Sequence, residues 1–172
     1  MERGELEAGL EREHPDAFAW ALRCCKGRRE DAEDALHSAY ERILTGRARF
    51  AGRSSFRTWL FGVVRRTAQE QRRRGWLRLV LLRRRVAGET SGSGSENSPA
   101  VTLAEREQSE RIGNALERLS KRQREILHLV FYQELSVQEA ALVLGMPVGT
   151  ARTHYERGKA KLRDLLQGED LR

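Results

Sequence analysis

The sequence predicts an all-α protein of two small helical domains joined by a flexible linker, the second containing a helix-turn-helix. Three observations predict it. Proline occurs only at Pro15, Pro99 and Pro147, so helices can run almost uninterrupted. Few apolar runs alternate with period two; most recur at i, i+3, i+4 and i+7. Gly88 to Ala100, GETSGSGSENSPA, lacks such periodicity and is rich in Gly and Ser, the composition of a tether. A chain of 172 residues can supply two modest cores. The expected division is 1–85, a linker over 86–104, and 105–172.

In the first part, helices are expected at Pro15–Lys26, Asp31–Leu44 and Ser55–Arg74, with Gly27 and Gly46 as stops. Leu36, Ala39, Tyr40 and Ile43 form one buried face, and Phe56, Trp59, Leu60, Val63 and Val64 another. In the second part, helices are expected at Leu103–Leu119, Lys121–Tyr132, Ser136–Leu144 and Val148–Leu166. Ser120 and Ser136 each precede a Gln or Glu by three positions, Gln123 and Glu139, the spacing of a capping box.

Charge is distributed unevenly. The chain has 32 Lys and Arg against 25 Asp and Glu, a net +7, which suits an acidic partner such as nucleic acid or an anionic membrane surface. Between Arg47 and Arg85 stand thirteen Arg and no Lys, opposed only by Glu70, so this stretch carries +12 and the remainder is net acidic. Arg without Lys favours planar contacts with phosphates and bases. The segment Arg72–Arg85 also places Trp76, Leu79 and Val80 on one helical face. Extension of the first domain, a membrane surface or a docked regulator would each use it.

Several classes are disfavoured. Cys24 and Cys25 are adjacent, which suits neither a disulfide staple nor a zinc pair, and they are expected as reduced thiols. His14, His37, His128 and His154 are scattered, and no metal site, phosphate-binding Gly loop or nucleophile–base spacing occurs, so no enzyme activity, metal or cofactor is expected. The apolar cluster Trp76 to Leu82, broken by Arg78, is too short for stable membrane insertion, and no signal peptide is apparent; a cytoplasmic location is expected.

The segment Ser136 to Tyr155 has the layout of a helix-turn-helix. Ala140 is small where helices cross, Gly145 permits the turn, and Val148 and Ala151 are expected to pack inward. The following helix should then expose Thr150, Arg152, Thr153, Glu156, Arg157 and Lys159, a mixture of base readers and phosphate neutralisers suited to a major groove. Glu156 has two readings, acceptance from a cytosine amino group or pairing with Lys159.

With Leu119-Ser-Lys-Arg-Gln-Arg-Glu-Ile-Leu leading into it, this part resembles the promoter-recognition domain of the extracytoplasmic-function (ECF) group of bacterial RNA polymerase sigma factors. Response regulators use a similar four-helix arrangement, and the first part separates the two. Asp31 to Leu44 resembles the group's polymerase-clamp-binding helix, and Phe50 to Leu60 its minus-ten-opening loop and helix. The resemblance implies that Asp34, His37, Ser38 and Glu41 face the clamp. It places Phe50, Arg53, Ser54, Ser55, Phe56 and Arg57 near the melted minus-ten strand, and the exposed face of the last long helix at the minus-thirty-five element. Capture of an unstacked base needs an aromatic or polar pocket, for which Phe50, Phe56 and Trp59 are candidates. Arg65 and Arg66, with Arg72, Arg73 and Arg74, are expected on phosphates. The group usually carries a Gln and an acidic residue where this chain has His37-Ser38, and an Asn where it has Arg66. The partners implied are core RNA polymerase, promoter DNA and an anti-sigma factor; the alternative is a stand-alone helix-turn-helix regulator.

Overall fold

The computed structural model describes residues 3–83 and 103–169, and every regular element among them is an α-helix. These helices form two units, one on either side of the Gly/Ser-rich stretch. The expected tether itself lies outside the described residues.

The first unit contains α1 (Arg3–Cys24), α2 (Arg29–Leu44) and α3 (Phe56–Arg83), each packed on the other two. Its core takes Leu10, Ala17, Trp20 and Ala21 from α1, Ala32, Ala35, Leu36, Ala39 and Ile43 from α2, and Leu60, Phe61, Val64 and Ala68 from α3. The alanines of α2 leave room for its neighbours to approach. Trp20 of α1 reaches α3: its ring is fully buried and lies 6.4 Å from the Phe61 ring. Its indole N–H donates to the Phe61 carbonyl at 3.1 Å, which avoids the cost of about 1–3 kcal/mol for a buried polar group left unpaired. Of the two expected faces, Leu36, Ala39, Ile43, Leu60 and Val64 are buried, whereas Tyr40, Phe56, Trp59 and Val63 are half-buried.

Two helices outrun their expected bounds by two turns or more. α1 begins at Arg3 and runs through Pro15, where the sequence reading starts it. Proline removes one intrahelical N–H, normally costly in a helix interior. Here contacts with the rest of the unit compensate: Gly9, Leu10 and Glu13 are already buried before the proline is reached. α3 continues past Arg74 to Arg83, so the backbone of most of the basic-apolar segment is helical; the side chains of Trp76, Leu79 and Val80 lie outside those described.

The second unit contains α4 (Leu103–Glu117), α5 (Lys121–Phe131), α6 (Val137–Leu144) and α7 (Val148–Glu169). Both expected capping boxes form: Ser120 and Ser136 accept from the backbone N–H of Gln123 and Glu139, whose side chains accept in return from the serine N–H groups. α6 ends at Gly145, at φ 63° and ψ 43°, a left-handed conformation that is inexpensive only without a Cβ. The N–H of Met146 reaches back to the Ala141 carbonyl at 3.1 Å, and α7 starts two residues later. Ala140 and Ala151 are fully buried at the crossing. Gly158 lets α7 lie close on α5, since a Cβ there would stand 3.1 Å from Gln123 Cβ. Val148 departs from expectation: as the first residue of α7 it remains 41% exposed, and Ala151, one turn on, is the first residue of that helix to be buried.

Candidate nucleic-acid interface

The loop between α2 and α3 delivers the expected minus-ten residues. Glu41 and Ile43 carbonyls close α2, Gly46 turns the chain at φ 72°, and Gly52 turns it again at φ 69°. Ser55 then caps α3: its hydroxyl accepts from the Thr58 N–H at 3.2 Å and donates to Thr58 Oγ1 at 2.8 Å. Phe50, Phe56 and Trp59 come together as a trio with ring centroids 5.3–5.8 Å apart, Phe50 edge-on to Phe56. All three remain half-exposed. Arg53 is exposed and Ser54 half-exposed on the same loop, and Arg66 is exposed one turn further along α3 than Gly62.

Two expected DNA contacts are placed elsewhere. Arg57 turns towards α1, pairing with Asp16 at 2.8 Å and Glu13 at 3.4 Å while its guanidinium lies over the Phe61 ring. Arg65 is buried, only 7% exposed, and its guanidinium meets the Gln69 side-chain oxygen at 3.0 and 3.1 Å in the amide orientation that satisfies both groups. The resemblance implies a strand contact for Arg57 and the Arg-rich run a phosphate contact for Arg65; the structure engages the half-buried Arg57 with α1 and buries Arg65 within the unit. Arg72 is half-buried, and Arg73 and Arg74 are exposed.

On α2, Asp34, His37 and Glu41 are exposed at i, i+3 and i+7, a single face. Glu41 holds Arg47 at 3.4 Å. Ser38 is turned partly towards α3, its hydroxyl accepting from Gln71 Nε2 at 3.1 Å. Beside it, Arg42 pairs with Glu70 at 2.5 Å. That bond from Arg42 holds the Glu70 carboxyl below the usual carboxylate range, with further help from the charges of Arg74 and Arg66. The single acidic residue in the Arg-rich stretch therefore serves to lock α2 to α3. His37 also borders a shallow groove between α1 and α2, where the Arg29 guanidinium lies over the Phe18 ring and His14 Nδ1 is 3.2 Å from the Tyr40 hydroxyl. Burial and the Glu13 charge push that phenol up to about 12.

In the second unit, Thr150, Arg152, Thr153, Glu156 and Arg157 are all exposed on the outer side of α7, opposite the buried Ala151 and Gly158. Lys159 is half-buried; its ammonium lies 5.0 Å from the Tyr155 ring centre and 3.2 Å from Glu156. Of the two readings of Glu156, the pair with Lys159 is thus formed in the unbound chain. The Thr153 hydroxyl donates to the Gly149 carbonyl at 3.0 Å.

Sequence reasoning missed the part α1 plays. Gly9, Glu13 and Asp16 meet the start of α3, and the signal was present in the spacing of Leu10, Ala17 and Ala21, obscured by treating Pro15 as a helix start. It also left unremarked the exposed Phe131, Tyr132 and Leu142 of the second unit, the first two at the C-terminal end of α5. Among the described residues no helix is long and apolar enough to cross a membrane.

Comparison with known proteins accounts for both units. The Sigma-70 region 2 family model matches residues 10–78, and the Sigma-70 region 4 model matches residues 109–162. The chain is 29% identical over 160 residues to the ECF RNA polymerase sigma factor SigX of Bacillus subtilis, covering 90% of this chain and 79% of that one. It is 29% identical over 153 residues to the ECF sigma factor EcfG of Rhodopseudomonas palustris, covering 87% and 77%. Its fold is similar to that of the sigma factor RpoE of Bartonella quintana, solved in complex with the anti-sigma factor NepR, with a TM-score of 0.68 at 24% identity over 95% of this chain and 97% of that one. A region 2 unit followed by a region 4 unit, with relatives named ECF sigma factors matched over more than three quarters of their length, places this chain in the ECF group of RNA polymerase sigma factors, to which it belongs.

Proposed function

We propose that the two units divide promoter recognition between them. The first docks on the clamp of core RNA polymerase through Asp34, His37 and Glu41 of α2, with Ser38 at the edge of that face, and takes the unpaired minus-ten strand onto Phe50, Phe56 and Trp59. Arg53, Ser54 and Arg66 approach the strand's phosphates, while Ser55, Arg57 and Arg65 hold the loop and α3 in shape. The second unit lays α7 in the minus-thirty-five major groove, where Arg152 and Arg157 reach guanine edges or phosphates and Thr150 and Thr153 make the shorter contacts. Lys159 and Glu156 sit at the rim as an ion pair. A linker, expected over 86–104 and with its last two residues already in α4, joins the two units, 1–85 and 105–172. Chemistry belongs to the polymerase, and the chain itself acts in the cytoplasm without a cofactor. An anti-sigma factor is a further partner, as NepR is of the Bartonella quintana RpoE; on this reading it covers the polymerase-binding face.

The observation that carries this reading is the pairing of a region 2 unit with a region 4 unit in one chain, because a stand-alone regulator needs only the second. Fluorescence anisotropy of a labelled promoter duplex tests it. Tight, sequence-specific binding is expected with core polymerase present and weak binding with the chain alone. Equally tight and specific binding by the free chain would support the stand-alone regulator instead.

A further inference from the structure

The start of α3 is capped by Ser55 and registered on α1 by the next two residues. Phe56 covers Gly9, and Arg57 pairs with Glu13 and Asp16. Gly9, Glu13 and Asp16 are spaced i, i+4 and i+7, one stripe of α1. Contact at Gly9 is unusually close: a Cβ there would stand 2.9 Å from Phe56 Cε1, 3.1 Å from Cζ and 3.3 Å from Cδ1. A ring at the end of a free side chain could swing away from such a methyl. Phe56 cannot do so independently, because its ring packs on Phe50 at 5.8 Å and Trp59 at 5.4 Å. Any displacement of Phe56 is therefore passed to both other rings. Glu13 is itself buried and also takes the Arg12 guanidinium at 3.1 Å, so the anchor for Arg57 is rigid.

We infer that Gly9 and Glu13 are positioning residues for minus-ten strand selection: without touching DNA, they set the angle at which the aromatic trio meets the strand. The inference rests on the proposed role of that trio. Stacking geometry is sensitive to ring placement, and a base held against a displaced ring loses contact on one face. Glycine at position 9 is then required by the close approach of an aromatic ring, since its backbone is ordinary helix.

The test uses holoenzyme assembled from the full chain and core polymerase. Its ligands are two single-stranded oligonucleotides: the non-template minus-ten strand of a promoter that the wild-type holoenzyme transcribes, and its scrambled counterpart. The readout is the ratio of the two affinities. Gly9→Ala is expected to lower that ratio at least fivefold, with affinity for core polymerase unchanged. Glu13→Gln combined with Asp16→Asn removes the anchor of Arg57 without adding bulk, and is expected to lower the ratio as well. A merely structural role would reduce the fraction of active holoenzyme and leave the ratio of the remainder intact; that result, or a wild-type ratio in both variants, overturns the inference. Trp59→Ala serves as the reference. If it too leaves the ratio unchanged, the trio does not read the strand and the underlying reading fails; if only the Trp59 variant lowers it, the trio stands and the positioning role of α1 falls.

Discussion

At the scale of single residues, chemistry reads well where a side chain answers to its own neighbours in sequence and poorly where it answers to another helix. The Ser120 and Ser136 caps depend on partners three positions away, and both form as the spacing predicts. Arg57 and Arg65 depend on where α1 and the rest of α3 lie, and nothing in an Arg-rich run distinguishes a guanidinium facing phosphate from one facing Glu13. Among the described residues of the second unit Arg152 has no such engagement, and it is exposed on α7. Arg152→Ala is expected to cost about 1–3 kcal/mol at one base pair of the minus-thirty-five element, as a bidentate base contact does. Binding of holoenzyme to a set of single-base promoter variants measures it, and a uniform loss across all sequences would make Arg152 a phosphate contact. Cys25 offers a second test. Burial, aided by the nearby Asp31 carboxylate, pushes its thiol up to about 11. At pH 8 a thiol reagent should therefore modify Cys24 in the native protein and reach Cys25 only after denaturation. The raised value means that the neutral thiol is favoured on folding. Its contribution to stability is complete below the ordinary thiol range and is lost as pH rises through about 11.

At the scale of helices, existence and type were legible for all seven, and boundaries failed where long-range packing overrode a local signal. Pro15 is a sound local reason to begin a helix, yet the burial of Gly9 and Leu10 against the unit extends α1 to Arg3. Val148 satisfied the apolar pattern but lies at the exposed start of α7. Where local and tertiary signals agree, the elements are well determined, and α6 is the clearest case. Ser136→Ala removes a capping box and is expected to destabilise the second unit by about 0.5–2 kcal/mol in urea denaturation. The lock between α2 and α3 depends on pH. Because Arg42 holds Glu70 below the usual carboxylate range, the pair stabilises the first unit above that range, and the contribution disappears as pH falls through the lowered value. Glu70→Gln should lower the melting temperature at pH 7, and the difference from wild type should shrink as pH falls below the ordinary carboxylate range. A constant difference across that range would show that the charge is not what joins the helices.

At the scale of the whole molecule, the order of the two units was readable because each carries its own motif: the loop and helix from Phe50 in one, the capped helix-turn-helix in the other. What composition could not supply was the platform beneath the minus-ten loop, which is built from α1 residues more than forty positions away in sequence. The concentration of +12 between Arg47 and Arg85 places most of the excess cation on the first unit, which carries the proposed minus-ten contacts. As an ECF sigma factor the protein binds core RNA polymerase and directs promoter recognition, melting and initiation. Exposed arginines on that stretch should make promoter complexes salt-sensitive, since each phosphate neutralised releases counterions. Transcription in vitro tests the account most directly, with bacterial core polymerase and a genomic promoter library, with and without the purified chain. The account predicts new transcripts only when the chain is present, from sites sharing two elements at a fixed spacing, and loss of those transcripts on Asp34→Arg. Transcription that does not depend on the chain, or initiation unaffected by the loss of either element, would contradict it.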